Sequence, residues 1–143
     1  MITLIIALLG AVEQPIAESE VMGQCETSHV AVYSSGYAHF EVTNTCGPSA
    51  FSFQSGLRKI MTKDVENLKS ILARARVGSL PARIKPPRDR ITTGETVLGL
   101  RVWQKGEMKE VIAYGIDRAE DRDAAHRFKL ARQAVERLGP EVK

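Results

Sequence analysis

His29–Thr43 reads HVAVYSSGYAHFEVT, and the folding of this stretch decides the architecture. Val30, Val32, Phe40 and Val42 alternate with more polar residues, the period-two pattern of half-buried strands. Ser34-Ser35-Gly36 stands between the two runs. A three-residue hairpin loop puts its last residue in the left-handed conformation, where glycine belongs. Val30 then opposes Phe40 and Val32 opposes Ala38, so that paired residue numbers sum to 70. A two-residue loop at Ser35-Gly36 makes the sum 71 instead. The hydrophobic pairing favours the first register, and the sequence leaves both open.

The two cysteines of the chain, Cys25 and Cys46, flank this hairpin. Their numbers sum to 71, so they face each other in the second register and are offset by one residue in the first. One β-bulge reconciles the two pairings. Two cysteines in an exported chain favour a disulfide, which by the chain-entropy account contributes roughly 3 kcal/mol for a loop of this size. Zinc is the rival reading, because Cys25, His29, His39 and Cys46 together make a plausible donor set. Strand alternation opposes it: one register splits the cysteines between faces and the other splits the histidines. A Cys nucleophile with a His base lacks a visible orienting partner and oxyanion site.

Downstream, Asn44–Pro48 (NTCGP) reads as a turn. Ala50–Gln54 and Leu57–Met61 read as a second, shorter hairpin turning at Ser55-Gly56, with Phe51 and Phe53 on one face. Thr62 reads as the N-cap of a helix in TKDVENLKSILARA. Val65, Leu68, Leu72 and Ala75 form its apolar stripe, widened by Ile71. Gly78 and Pro81 stop it. Ser79–Thr96 (SLPARIKPPRDRITTGET) reads as a long irregular loop of the kind that is often functional. Val97–Gln104 and Met108–Tyr114 give the clearest hairpin, turning at Lys105-Gly106. Its Leu98, Leu100 and Val102 face one way, and Arg101 and Trp103 the other. A final helix spans about Asp121 to Leu138, with Ala124, Phe128, Ala131, Val135 and Leu138 on one face, and Gly139-Pro140 ends it. His126 lies three residues after Asp123, within reach of an exposed polar pair.

Working back to the start, Ile2–Val12 (ITLIIALLGAV) is an apolar run too short to span a bilayer and of the right length for a signal-peptide core. Pro15-Ile16-Ala17 then offers a small-residue cleavage point after Ala17. The absence of Lys or Arg before the run, and the proline, weigh against that reading. A buried N-terminal strand is its alternative. The expected organisation is a signal peptide over 1–17, a spacer over 18–28 and one α+β domain over 29–140. That domain is expected to be an antiparallel sheet from two or three hairpins with two amphipathic helices packed on one face.

A chain of 143 residues suits one domain, and its 43% apolar and 26% charged composition is ordinary for a soluble protein. Its charge is uneven. Residues 1–57 hold five acids and no Lys or Arg, which makes −5; the remainder holds all 20 basic residues and 12 acids, which makes +8. Arg74, Arg76, Arg83, Lys85, Arg88 and Arg90 form a basic cluster interrupted by Asp89. Arg83, Lys85, Arg88, Arg90, Arg101 and Trp103 are the candidate partner-binding residues, suited to an acidic protein or a polyanionic envelope component. A solvated mixed-charge loop is the plainer reading. Export makes nucleic acid an improbable partner. No Walker loop, GxGxxG, HExxH or GxSxG occurs, so no catalytic residues and no cofactor are assigned.

TKDVENLKSILARARVGSLP, LGLRVWQKGEMKEVIAYG and the RFKLARQAVERLGP helix together give a hairpin, a helix, a Leu-Pro loop, a second hairpin and a final helix. The plan resembles that of small exported bacterial domains of unknown function, over most of residues 26–140. That resemblance implies a bacterial, exported protein and carries over no catalytic residue. The function expected is therefore a non-enzymatic binding or inhibitor module of the cell envelope, periplasmic or secreted. A cytoplasmic nucleic-acid-binding or regulatory protein using the basic half is the second expectation, and a small metal- or Cys-dependent enzyme the third.

Overall fold

In a computed structural model, residues 13–47, 51–88 and 96–139 are described. They form a mixed α+β fold. The strands are β1 (Ala17–Met22), β2 (Glu26–Tyr33), β3 (Tyr37–Asn44), β4 (Ser52–Lys59), β5 (Arg83–Ile84), β6 (Val97–Gln104) and β7 (Glu107–Tyr114). The helices are α1 (Thr62–Arg74) and α2 (Arg122–Glu136). The strands make one sheet in the order β4-β3-β2-β1-β6-β7-β5. Every pairing is antiparallel except β5 with β7.

The β2–β3 hairpin has the register summing to 70, with Val30 opposite Phe40 and Val32 opposite Ala38. Its loop is Ser34-Ser35-Gly36, and Gly36 has φ +95°. The β6–β7 hairpin turns at Lys105 (φ 53°) and Gly106 (φ 78°), as a two-residue turn in a right-twisted ribbon requires.

The first corrections lie at the N-terminal side. Residues read as signal peptide and spacer build the middle of the sheet. Ala17 is fully buried between Val32 of β2 and Val102 of β6. Ile16 donates its N–H to the Val32 carbonyl and accepts from the Trp103 N–H. β1 looks polar because its sequence AESEVM alternates a small core-facing residue with a glutamate. Ala17 and Ser19 are small enough for helix α2 to pack closely over them. The apolar run Ile2–Val12 lies outside the described residues.

The short hairpin expected at Ser55-Gly56 is instead one continuous strand, β4, paired along its length with β3. Gly56 is no turn residue. It lies opposite Phe40, and a Cβ there would meet the ring at 2.7 Å. The missing side chain is where the cross-strand aromatic packs. Four successive antiparallel strands therefore precede α1, in place of two separate hairpins. Part of the Ser79–Thr96 loop is also structured: β5 lies beside β7, and Pro86 is fully buried.

α1 starts one residue earlier than expected, with Met61 as N-cap and the Asp64 carboxylate accepting the Met61 N–H at 3.2 Å. It stops before Gly78, at Arg76, whose φ of 48° is left-handed. Arg127 of α2 holds that end, donating to the carbonyls of Ala75 (2.8 Å) and Arg76 (2.7 Å). Asp121 caps α2 by accepting from the Ala124 N–H at 2.9 Å. Asp123 contacts Arg127 rather than His126.

One core cluster unites these parts. Val65, Leu68 and Leu72 of α1 and Ala124, Phe128, Ala131 and Val135 of α2 meet Ala17, Val32, Ala38, Leu100, Val102, Val111 and Ala113 of the sheet. The alternate strand residues, among them Glu18, Glu20, His29, His39, Phe53, Leu57, Arg101 and Trp103, turn away from it. Among the described residues, no helix is long and apolar enough to cross a membrane.

Candidate functional site

Cys25 and Cys46 form a disulfide with Cα atoms 5.0 Å apart. No bulge in the β2–β3 ladder is needed. The register summing to 70 continues to Glu26–Asn44, and the Thr45 N–H still bonds the Cys25 carbonyl at 2.8 Å. The chain then leaves the ladder, with the Cys46 N–H held by the Asn44 side chain and Gly47 at φ +141°. The one-residue offset is absorbed beyond the last pair. The zinc alternative loses both thiolates to this bond. His29 and His39 share a face, as the register requires, but each contacts a glutamate, Glu18 at 3.5 Å and Glu41 at 3.8 Å. Among the described residues no group of three or more His, Cys, Asp and Glu is placed to hold a metal ion.

Arg101 does not project as a free cation. Its Nε donates to Glu110 at 2.7 Å and its Nη1 to Glu18 at 3.1 Å, and its Nη2 lies 3.5 Å from Glu20. The pairing follows from register: β1 runs between β2 and β6, which sets Glu18 beside Arg101 and Arg101 beside Glu110. The Glu110 hydrogen bond, followed by Glu18, raises the Arg101 pKa further against its burial. Burial pushes the Glu18 carboxyl up, but hydrogen bonds from His29 and Arg101 outweigh it and hold the group below its ordinary value. His29 is raised, first by its hydrogen bond to Glu18, against burial, and then by the negative charges of Glu18, Glu20 and Glu41. The network holds Arg101 within the sheet, where three carboxylates face one guanidinium and one histidine.

Trp103 is placed differently. It lies where β1 gives out beside β6, on a cleft of about 750 Å³ between the β6–β7 hairpin and α1. Ile16, Leu72, Val102 and Met108 are among its apolar lining residues, and Lys69, Lys105, Lys109 and Glu107 among its charged ones. Lys69 comes from α1, and Lys105 and Lys109 from the β6–β7 hairpin, so no single stretch of sequence shows them together. The Trp103 indole beside a lysine-bearing turn was the one signal available.

The other sequence-chosen residues lie elsewhere. Arg83 and Lys85 are exposed on the β5 edge, where Arg83 pairs with Ile112 on the far side of β7 from Trp103. Arg88 is exposed, and Arg90 lies outside the described residues. The cluster read from spacing is thus divided between a sheet edge, an internal ion network and the cleft. No protein-family model and no curated protein matches the chain.

Proposed function

We propose that the chain is a non-enzymatic binding module of the cell envelope that takes an acidic, amphiphilic partner in the cleft beside Trp103. The observation that carries this reading is one cleft lined by Trp103, by aliphatic residues and by three lysines. Apolar walls with a few charged groups are the usual make-up of a ligand site. Lys69 is paired with Glu66 at 3.5 Å, and Lys105 and Lys109 still outnumber Glu107, so the lining draws acidic groups. Arg101 has no part in it, being held by its own carboxylates.

Export is supported by the Cys25–Cys46 disulfide, since such bonds persist in oxidising compartments, and by the resemblance to small exported bacterial domains. The cleavage point moves upstream. Glu13 accepts from Ser34 and Ser35 at 2.8 and 3.0 Å, and Ile16 and Ala17 belong to the sheet. A mature chain that keeps this fold begins no later than Glu13. Both helices lie on the core side in this reading.

The chain has a single tryptophan, Trp103, so its emission reports on the β6 end that lines this cleft. Titration with a short peptide of Glu residues carrying one Leu is expected to shift that emission, with binding that weakens as salt is added. Lys69→Glu with Lys109→Glu is expected to reduce affinity at least about tenfold. Unaltered emission over the whole titration rejects the reading. Intact mass of the protein from its native host reads the compartment, through the mature N-terminus and the oxidised cysteines.

A further inference from the structure

Among the described residues, β4 and β5 are the two ends of the sheet. β5 has two residues, too few to template another strand. β4 has eight residues, and all but Gly56 are exposed. Natural edges of this length are commonly blunted by a bulge, a proline or a central charge. β4, SFQSGLRK, has no proline, and its charges are confined to Arg58 and Lys59 at one end.

The free hydrogen-bonding groups can be assigned. The Ile60 N–H donates to the Gly36 carbonyl at 2.9 Å, and the β3–β4 register continues from that pair. Bonded pairs alternate along an antiparallel ladder, so even-numbered β4 residues bond to β3. The amides and carbonyls of Phe53, Ser55, Leu57 and Lys59 point to the open edge. The same odd positions carry the apolar side chains, with Phe53 54% and Leu57 56% exposed, and Phe51 just before the strand 64% exposed.

We propose that two copies of this chain join β4 to β4, antiparallel, about a two-fold axis through Ser55. Opposed residues in an antiparallel pair put their side chains on the same face, so odd positions must meet odd positions. The axis through Ser55 sets Phe53 against Leu57 twice and Phe51 against Lys59 twice. The first is a good apolar cross-strand pair, and the second places an ammonium beside a ring. Charge selects the direction: a parallel pairing brings the two Arg58-Lys59 ends together, whereas the antiparallel one sets them roughly 25 Å apart, at opposite corners. Each exposed phenylalanine offers on the order of 100 Å². With two leucines and two strand backbones added, the interface reaches the order of the 1,000 Å² that a specific contact needs. That is the low end of the range, so the dimer is concentration-dependent around the micromolar. Trp103 is on β6, four strands from β4, and its cleft stays clear of this interface.

Sedimentation of the full chain, over a roughly hundredfold concentration range around the micromolar, is expected to show monomer passing to dimer. Ser55→Pro removes an edge-facing N–H without breaking a β3–β4 bond, and is expected to remain monomeric with an unchanged melting profile. Leu57→Lys tests the same edge through its side chain, with the same expected result. Ser55→Cys is expected to yield a covalent dimer on mild oxidation, because opposed Cα atoms in such a pair are about 5.5 Å apart, within disulfide reach. A wild-type chain that stays monomeric throughout, or a dimer that survives both edge substitutions, overturns the proposal. Neither result bears on the Trp103 emission titration.

Discussion

Arg101 is surrounded by Glu18, Glu20 and Glu110, although a single strand of sequence shows it only beside Leu100 and Val102. Its partners come from two neighbouring strands, so its free charge was legible and its neutralisation was not. The same network makes stability depend on pH. The folded His29 pKa is raised above its ordinary 6.5, so its contribution is fully present below that value and is lost as pH rises through the folded value. Glu18 is lowered from 4.5, so its contribution is present above that value and is lost as pH falls through the folded one. Urea midpoints for the wild type are therefore expected to fall between pH 6 and pH 8, with a smaller fall in His29→Gln. Ser19 gives a second residue-scale test. It is 2% exposed in the central strand, and its hydroxyl has no hydrogen-bond partner. Ser19→Ala removes a desolvated hydroxyl and is expected to be neutral or to stabilise by about 1 kcal/mol in urea unfolding.

Among the elements, the helices and the β6–β7 hairpin were legible because their periodicity and turn residues are local. β1 and β4 were not. β1 carries glutamates on its outer face, and these read as a spacer until Arg101 and His29 are seen beside them. β4 contains Ser-Gly, which reads as a turn until Phe40 is seen across it. The junction of α1 and α2 is held by Arg127, which donates to two carbonyls at the end of α1. Arg127→Ala is expected to cost about 2 kcal/mol, and Lys to recover little of it, because a point charge lacks the forked geometry. Thermal melts of the three proteins measure this. The Cys25–Cys46 bond closes a separation of 21 residues at the open end of the β2–β3 hairpin. Replacing both cysteines by serine is expected to cost about 3 kcal/mol, read from denaturant midpoints.

For the whole molecule, the decisive fact is that β1 is the central bridge between the acidic and the basic parts of the chain. β2 pairs with it on one side and β6 on the other. A chain beginning at Glu13 is expected to fold with full stability, whereas one beginning at Glu18 loses the buried Ala17 and both Ile16 bonds. The shorter chain is expected to be less stable by at least about 2 kcal/mol, with early amide exchange in β2 and β6. Equal stability of the two would remove β1's first residues from the fold.

The sequence by itself determined the α+β class, the turn at Lys105-Gly106 and the buried stripes of both helices, and it favoured without fixing the register that the first hairpin adopts. Each of these follows from residues close together in the chain, through side-chain period, left-handed turn positions and capping. The tertiary structure decided which strands are neighbours. It thereby decided that Glu18 meets Arg101, that Gly56 receives a phenylalanine ring, that Lys69 of α1 shares a cleft with Trp103 and the lysines of its hairpin, and that β4 is an end strand of the described sheet. Those contacts depend on elements that are distant in the chain, and strand order, which no local pattern encodes, is what brings them together.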